Sequence, residues 1–91
     1  MAKMFVTLKI MPESPEVDLN ALRQKIKKVV EKFEGELLDK DETVPIAFGL
    51  NALKLTFLID ESKGSEEISE AVAKLEEVSS SEVVDMRRAF G

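Results

Sequence analysis

The run Pro45-Ile46-Ala47-Phe48-Gly49 sets an aromatic between a residue that stiffens the chain and one that loosens it. Pro45 fixes its own φ near about −65° and disfavours helix at Val44. Gly49 permits backbone angles that a Cβ forbids. Ile46, Ala47 and Phe48 are therefore predicted to form a firm loop tip ahead of a strand. The chemistry of such a tip is non-covalent: a pre-ordered ring enters a partner's pocket with little entropy left to lose. The competing expectation is a Phe48 that merely covers the end of a sheet. The second set is Arg87-Arg88-Ala89-Phe90-Gly91, which closes an acidic chain with two guanidinium groups and a carboxylate. Arg87 and Arg88 either meet an anionic group of a partner or simply solubilise the chain.

Covalent chemistry has few candidates. The sequence holds no His and no Cys, which removes the commonest general base, the commonest metal ligand and any thiolate. A serine without a base beside it is inert. Gly35, Gly49, Gly64 and Gly91 are scattered, and no two stand at the spacing of a phosphate-binding loop. Carboxylates gather at Glu66-Glu67, Glu70 and Glu76-Glu77, which reads as a solvated helix face. Asp39-Lys40-Asp41-Glu42 reads as an ordinary acidic turn. Neither a metal nor a cofactor is expected.

A chain of 91 residues makes one domain, residues 1–91, with room for one modest core and none for a deep catalytic cleft. Apolar residues at 44% and charged residues at 34% mark it as globular. A net charge of −5 makes it a poor default binder of phosphate backbones and a better fit to a positively charged protein surface. No segment approaches the roughly 20 apolar residues of a membrane helix. The start, "MAKMFVTLKIMPES", lacks the apolar block of a signal peptide. The expectation is an intracellular, cytoplasmic protein.

The elements that must position the two sets follow from periodicity. Met4, Val6, Leu8 and Ile10 alternate with Phe5, Thr7 and Lys9, which predicts a half-buried strand ended by Pro12 and Pro15. From Asp18, a plausible N-cap, Leu19, Leu22, Ile26, Val29, Val30 and Phe33 form a helical stripe that stops at Gly35. Glu36 to Lys40 is weakly strand-like. Leu50 to Ile59 is the strongest strand, with Leu53, Leu55, Phe57 and Ile59 on one face. Ser65 is predicted to cap a second helix whose stripe is Ile68, Ala71, Val72, Leu75 and Val78, broken by Ser79-Ser80-Ser81. Glu82 to Phe90 alternates as a last strand. The order βαββαβ with right-handed crossovers gives an α+β fold: a ferredoxin-like, four-stranded antiparallel sheet with both helices on one face. The bare face raises RNA recognition, and Phe5 offers a stacking ring there. Phe57 falls on the helix-facing side, however, the chain is acidic, and no segment matches the RNP pattern, so direct nucleic-acid binding is not expected.

Three segments, "MPESPEVDL", "VPIAFGLNALKL" and "VVDMRR", in this order and over essentially the whole chain, resemble the archaeal elongation factor 1-beta family. The chain is also similar to the C-terminal exchange domain of eukaryotic elongation factor 1-beta, most clearly in the proline–apolar–small–aromatic–glycine run. The resemblance implies exchange of GDP for GTP on elongation factor 1-alpha, the GTPase that carries aminoacyl-tRNA, without making or breaking a covalent bond. It implies that the aromatic at Phe48 enters an apolar pocket of the nucleotide domain and shifts the switch region. Eukaryotic members carry a Lys near the last residue that enters the magnesium and phosphate region. Gly91 stands at that place here, and Arg87 or Arg88 would supply positive charge from further back, although Arg does not replace Lys by default. The eukaryotic N-terminal extension is absent, so the chain is expected to act as a free-standing module, monomeric when free. The rival expectations are a non-catalytic interaction domain that uses the bare sheet face, and a small-ligand regulatory domain of the same topology.

Overall fold

Alternation at the start of the chain produces β1, Lys3–Pro12, whose burial alternates with Val6, Leu8 and Ile10 fully enclosed. The computed structural model describes residues 3–39 and 41–89. The expectations placed on Lys40, on Phe90 in the last strand and on Gly91 lie outside the described residues. Asp18 caps α1, Leu19–Lys32, and its carboxylate accepts from the backbone N–H groups of Asn20 at 2.9 Å and Ala21 at 3.2 Å. The stripe buries Leu22, Ile26 and Val30.

The end of α1 differs from the expected glycine stop. Glu34, not Gly35, takes the left-handed conformation, at φ 64°. Glu34 N–H donates to the Glu31 carbonyl and Gly35 N–H to the Val30 carbonyl, both at 2.9 Å, which is the Schellman pattern. Gly35 is needed for space instead. A Cβ there would come within 2.9 Å of the Val30 side chain.

β2, Glu36–Leu37, pairs antiparallel with β4, Asn51–Asp60. The sheet has a strand that was not expected: β3, Glu42–Pro45, also antiparallel to β4. The sheet thus has five strands rather than the expected four, in the order β2-β4-β1 followed by the last strand, with β3 on β4. The two short strands occupy one margin end to end. Leu37 faces Phe57 and Glu42 faces Lys54, so the pairing with β4 shifts by two residues between β2 and β3. Within this interruption Leu38 N–H still reaches the Thr56 carbonyl at 2.9 Å. The four lanes of a ferredoxin-like sheet therefore persist, with one lane interrupted between β2 and β3 by a two-residue register shift.

α2, Ser65–Ala73, starts one residue earlier than expected: Gly64 is the N-cap and Ser65 the first helical residue, with no side-chain cap bond. Ile68 and Val72 bury, but the helix ends before Leu75. Val78 and the three serines belong to β5, Val78–Arg88, rather than to a helix end and a break. Pairing with β1 overrides the low strand preference of serine, setting Ser80 against Met11 and Ser81 against Ile10. The Ser81 carbonyl and hydroxyl both bond the Ser69 hydroxyl of α2, at 3.2 and 3.0 Å. Both helices cover the sheet face of Val6, Leu8, Ile10, Leu53, Leu55, Phe57 and Ile59. Lys25 of α1 pairs with Glu77 at the end of the α2–β5 connection, which holds the Glu77 carboxyl below its usual range. Asp60 is likewise lowered, because the backbone N–H and then the hydroxyl of Ser62 donate to it, at 2.9 and 2.8 Å.

Candidate functional site

β3 and β4 form a hairpin, and its turn presents the aromatic. Val44 pairs with Ala52 and Pro45 with Asn51. A proline is compatible with this place because β3 is an edge strand. Beyond the ladder, Ile46 N–H donates to the Leu50 carbonyl at 2.7 Å and Leu50 N–H to the Ala47 carbonyl at 3.3 Å. Between these bonds, Phe48 at φ 63°, ψ 28° and Gly49 at φ 76° are both left-handed. Two successive left-handed residues closed by such a bond have the sense of a type I′ turn, whose twist suits a hairpin. That turn ordinarily takes Asn-Gly or Asp-Gly, because an L side chain with a bulky Cβ pays about 1–2 kcal/mol in this region.

Phe48 is 94% exposed. Pro45, Ala47 and Gly49 are exposed and Ile46 is half-buried. The ring does not cover the end of the sheet. A Cβ added at Gly49 would meet nothing within 4 Å, so its glycine is required by backbone angle alone.

The two arginines lie elsewhere. Arg88 pairs with Met4 across β1, and Met4 faces Ile59 on β4; at the other end Ser81, Ile10 and Leu53 share a rung. Six residues of β4 separate those rungs, roughly 20 Å at about 3.3 Å per residue, and Phe48 lies beyond the Leu53 end. The molecule measures 42 Å along its longest axis. The aromatic turn and the arginines are thus at opposite ends and form no common pocket.

Nor do the arginines form one patch. Arg87 pairs with Phe5 and shares the open sheet face with it, whereas Arg88, paired with Met4, is on the helix side. Arg87 Nε donates to Asp85 at 3.1 Å, and Arg88 meets Glu61 at 3.3 Å. Their side chains remain 78% and 73% exposed, so both guanidinium groups are accessible to an anion.

The open face adds a feature that residue types alone only hinted at through Phe5. A shallow recess of about 240 Å³ is lined by Phe5, Thr7, Leu38, Thr56, Asp85 and Arg87. At its floor the hydroxyls of Thr7 and Thr56 are 3.0 Å apart and satisfy one another. Among the described residues, no three carboxylates converge as metal ligands would, and no helix is long and apolar enough to cross a membrane.

Comparison with known proteins gives a consistent result. Residues 5–89 match the family described as the EF-1 guanine nucleotide exchange domain. A protein of Methanobrevibacter smithii named elongation factor 1-beta is 49% identical over 89 residues, covering 97% of this chain and 98% of the relative. The elongation factor 1-beta of Methanosphaera stadtmanae is 43% identical over the same shares of both chains. That of Nanoarchaeum equitans is 43% identical over 83 residues, 90% of this chain and all of the relative.

Proposed function

The chain belongs to the EF-1 guanine nucleotide exchange family, as a translation elongation factor with exchange function, and on that premise we propose that Phe48 is the wedge by which it loosens GDP on elongation factor 1-alpha. One observation carries this reading. A fully exposed phenylalanine occupies a left-handed turn position where asparagine would sit without strain. Nothing within the fold is gained by that choice. A backbone outlier held at a cost, with its side chain turned to solvent, points to use by another molecule.

The energetics are adequate. Speeding GDP release about 10³-fold needs about 4 kcal/mol of differential stabilisation. Burying the ring in an apolar pocket supplies about 1.5–3 kcal/mol, and a charge-assisted contact to an arginine adds to it. Coupling is reciprocal: as the factor weakens nucleotide, nucleotide weakens the factor by the same ratio. The reaction makes and breaks no covalent bond. Because the turn and the arginines are some 20 Å or more apart, they engage two separate regions of the GTPase. Arg87 and Arg88 therefore act as a distant electrostatic hold, not as a second half of the Phe48 pocket. The free chain works in the cytoplasm as a monomer and touches neither nucleic acid nor membrane.

The test is release of fluorescent GDP from purified elongation factor 1-alpha, with Phe48→Asn set beside the wild type. Loss of acceleration in a variant that is folded and no less stable supports the wedge. Equal acceleration overturns it. Binding by the wild type without any acceleration of release returns the chain to a non-catalytic interaction domain.

A further inference from the structure

The acidic stretch after β2 has a use that its composition does not suggest. Arg23 of α1 reaches into the interruption between β2 and β3, and its side chain is only 17% exposed. One terminal nitrogen donates to the Leu38 carbonyl at 3.4 Å and to Asp39 Oδ1 at 3.3 Å. Its Nε lies 3.3 Å from Asp41 Oδ2. One planar guanidinium thus grips a backbone carbonyl and two carboxylates where the pairing with β4 shifts by two residues. A bulge sets the direction of the strand that follows it. Here that strand is β3, which leans chiefly on β4 and ends in the turn that carries Phe48.

We propose that Arg23 is a positioning residue for exchange: it locks the β2–β3 bulge, fixes the register and aim of the β3–β4 hairpin, and so holds the Phe48 turn ready for its pocket. This rests on the reading of Phe48 as the wedge. The physical basis is pre-organisation. A turn that wanders must be ordered again on docking, and that loss falls on affinity. Lysine does not replace the fork, because a single ammonium cannot hold three acceptors in fixed directions. Asp39 is fully solvated and Asp41 partly so, which makes the contribution one of geometry more than of ion-pair strength.

Two measurements on the full chain test it. The first is amide hydrogen exchange of residues 42–50 in Arg23→Gln and Arg23→Lys without any partner, with the β1 and α1 amides as internal controls. The expected result is about tenfold faster exchange confined to the hairpin in both variants. The second is saturation of GDP release against factor concentration, where the half-saturating concentration rises several-fold and the maximal rate is nearly kept. Adding Arg23→Gln to Asp39→Asn/Asp41→Asn should then loosen the hairpin less than Arg23→Gln does in the wild type, because only the Leu38 carbonyl contact is left to lose. Unchanged hairpin exchange, or a fall in maximal rate with half-saturation unmoved, overturns the assignment. Faster exchange spread over β1 and α1 does so too, since it marks a general loss of fold. If Phe48→Asn exchanges GDP as well as the wild type while Arg23→Gln loosens the hairpin, the wedge is wrong and the clamp stands.

Discussion

Glu34 and Phe48 are the two residues other than glycine that hold a left-handed backbone among those described, at φ 64° and 63°. The same conformation has different origins in the two places. At Glu34 the helix end explains it: two backbone N–H groups that follow the last turn reach back to the Glu31 and Val30 carbonyls. The side chain is incidental there, and its 3.5 Å pairing with Lys63 is a solvated contact worth close to nothing. At Phe48 the hairpin explains the backbone but not the ring. A turn of this sense is satisfied by asparagine, and the residue stays 94% exposed in its own fold. A strained angle therefore says little by itself. A strained angle that carries a costly and unsupported side chain says where to look.

The contrast can be pressed experimentally. The largest effect should come from Phe48→Asn: acceleration of GDP release falls by about 10- to 100-fold, matching about 1.5–3 kcal/mol of lost ring burial, while the chain gains up to about 1 kcal/mol in chemical denaturation. A variant that loses activity with no gain or with a loss in stability would blur the distinction between the two sites. Gly49→Ala should come next. Its methyl meets no atom, so any loss is backbone strain of about 1 kcal/mol, seen as a lower denaturation midpoint and a several-fold weaker exchange. Glu34→Asn should raise stability by about 0.5–1 kcal/mol and leave GDP release at the wild-type rate, because the left-handed position is relieved far from the turn. If exchange falls with Glu34→Asn, the helix end is not the bystander described above.

The smallest effect concerns acid. Asp60 and Glu77 are both lowered, by the Ser62 donors and by Lys25 respectively. A carboxyl lowered in the folded state binds its proton less readily there than in the unfolded chain, so its stabilising contribution is full above the unfolded value. It is lost as pH falls through the folded value. The unfolded values of both lie near about 4, so thermal midpoints should be flat from neutrality down to about pH 5 and decline only below about pH 4. Asp60→Asn should flatten part of that decline and leave the Glu34 and Phe48 variants' ranking unaltered.

Much of the fold was readable from residue order because long periodic segments announce themselves. β1, α1 and β4 needed only alternation or a helical stripe, and the Asp18 cap was visible as a side-chain type in the right place. β3 was not legible. Glu42-Thr43-Val44-Pro45 offers one half-buried apolar residue and ends in proline, and only the free margin of β4 makes it a strand. The early start of β5 was hidden for a related reason. Ser79, Ser80 and Ser81 look like a break until β1 supplies a partner and Ser69 a hydroxyl. At the candidate site, Pro45 and Gly49 foretold display of Phe48 but not its left-handed turn, since Phe-Gly is not the pair that marks such a turn. The distance between Phe48 and the arginines was also hidden, because it follows from strand register and not from any local pattern.

The broken margin of the sheet has a consequence for crowding. On one side the lane of β2 and β3 is interrupted by two surplus residues; on the other, β5 shifts register between Thr7 and Leu8 and again between Met11 and Pro12. A second copy that laid a straight strand along either border would find donors and acceptors falling out of step within a few residues. The irregularities that shape this small sheet thus also deny it an unbroken template for edge-to-edge zippering.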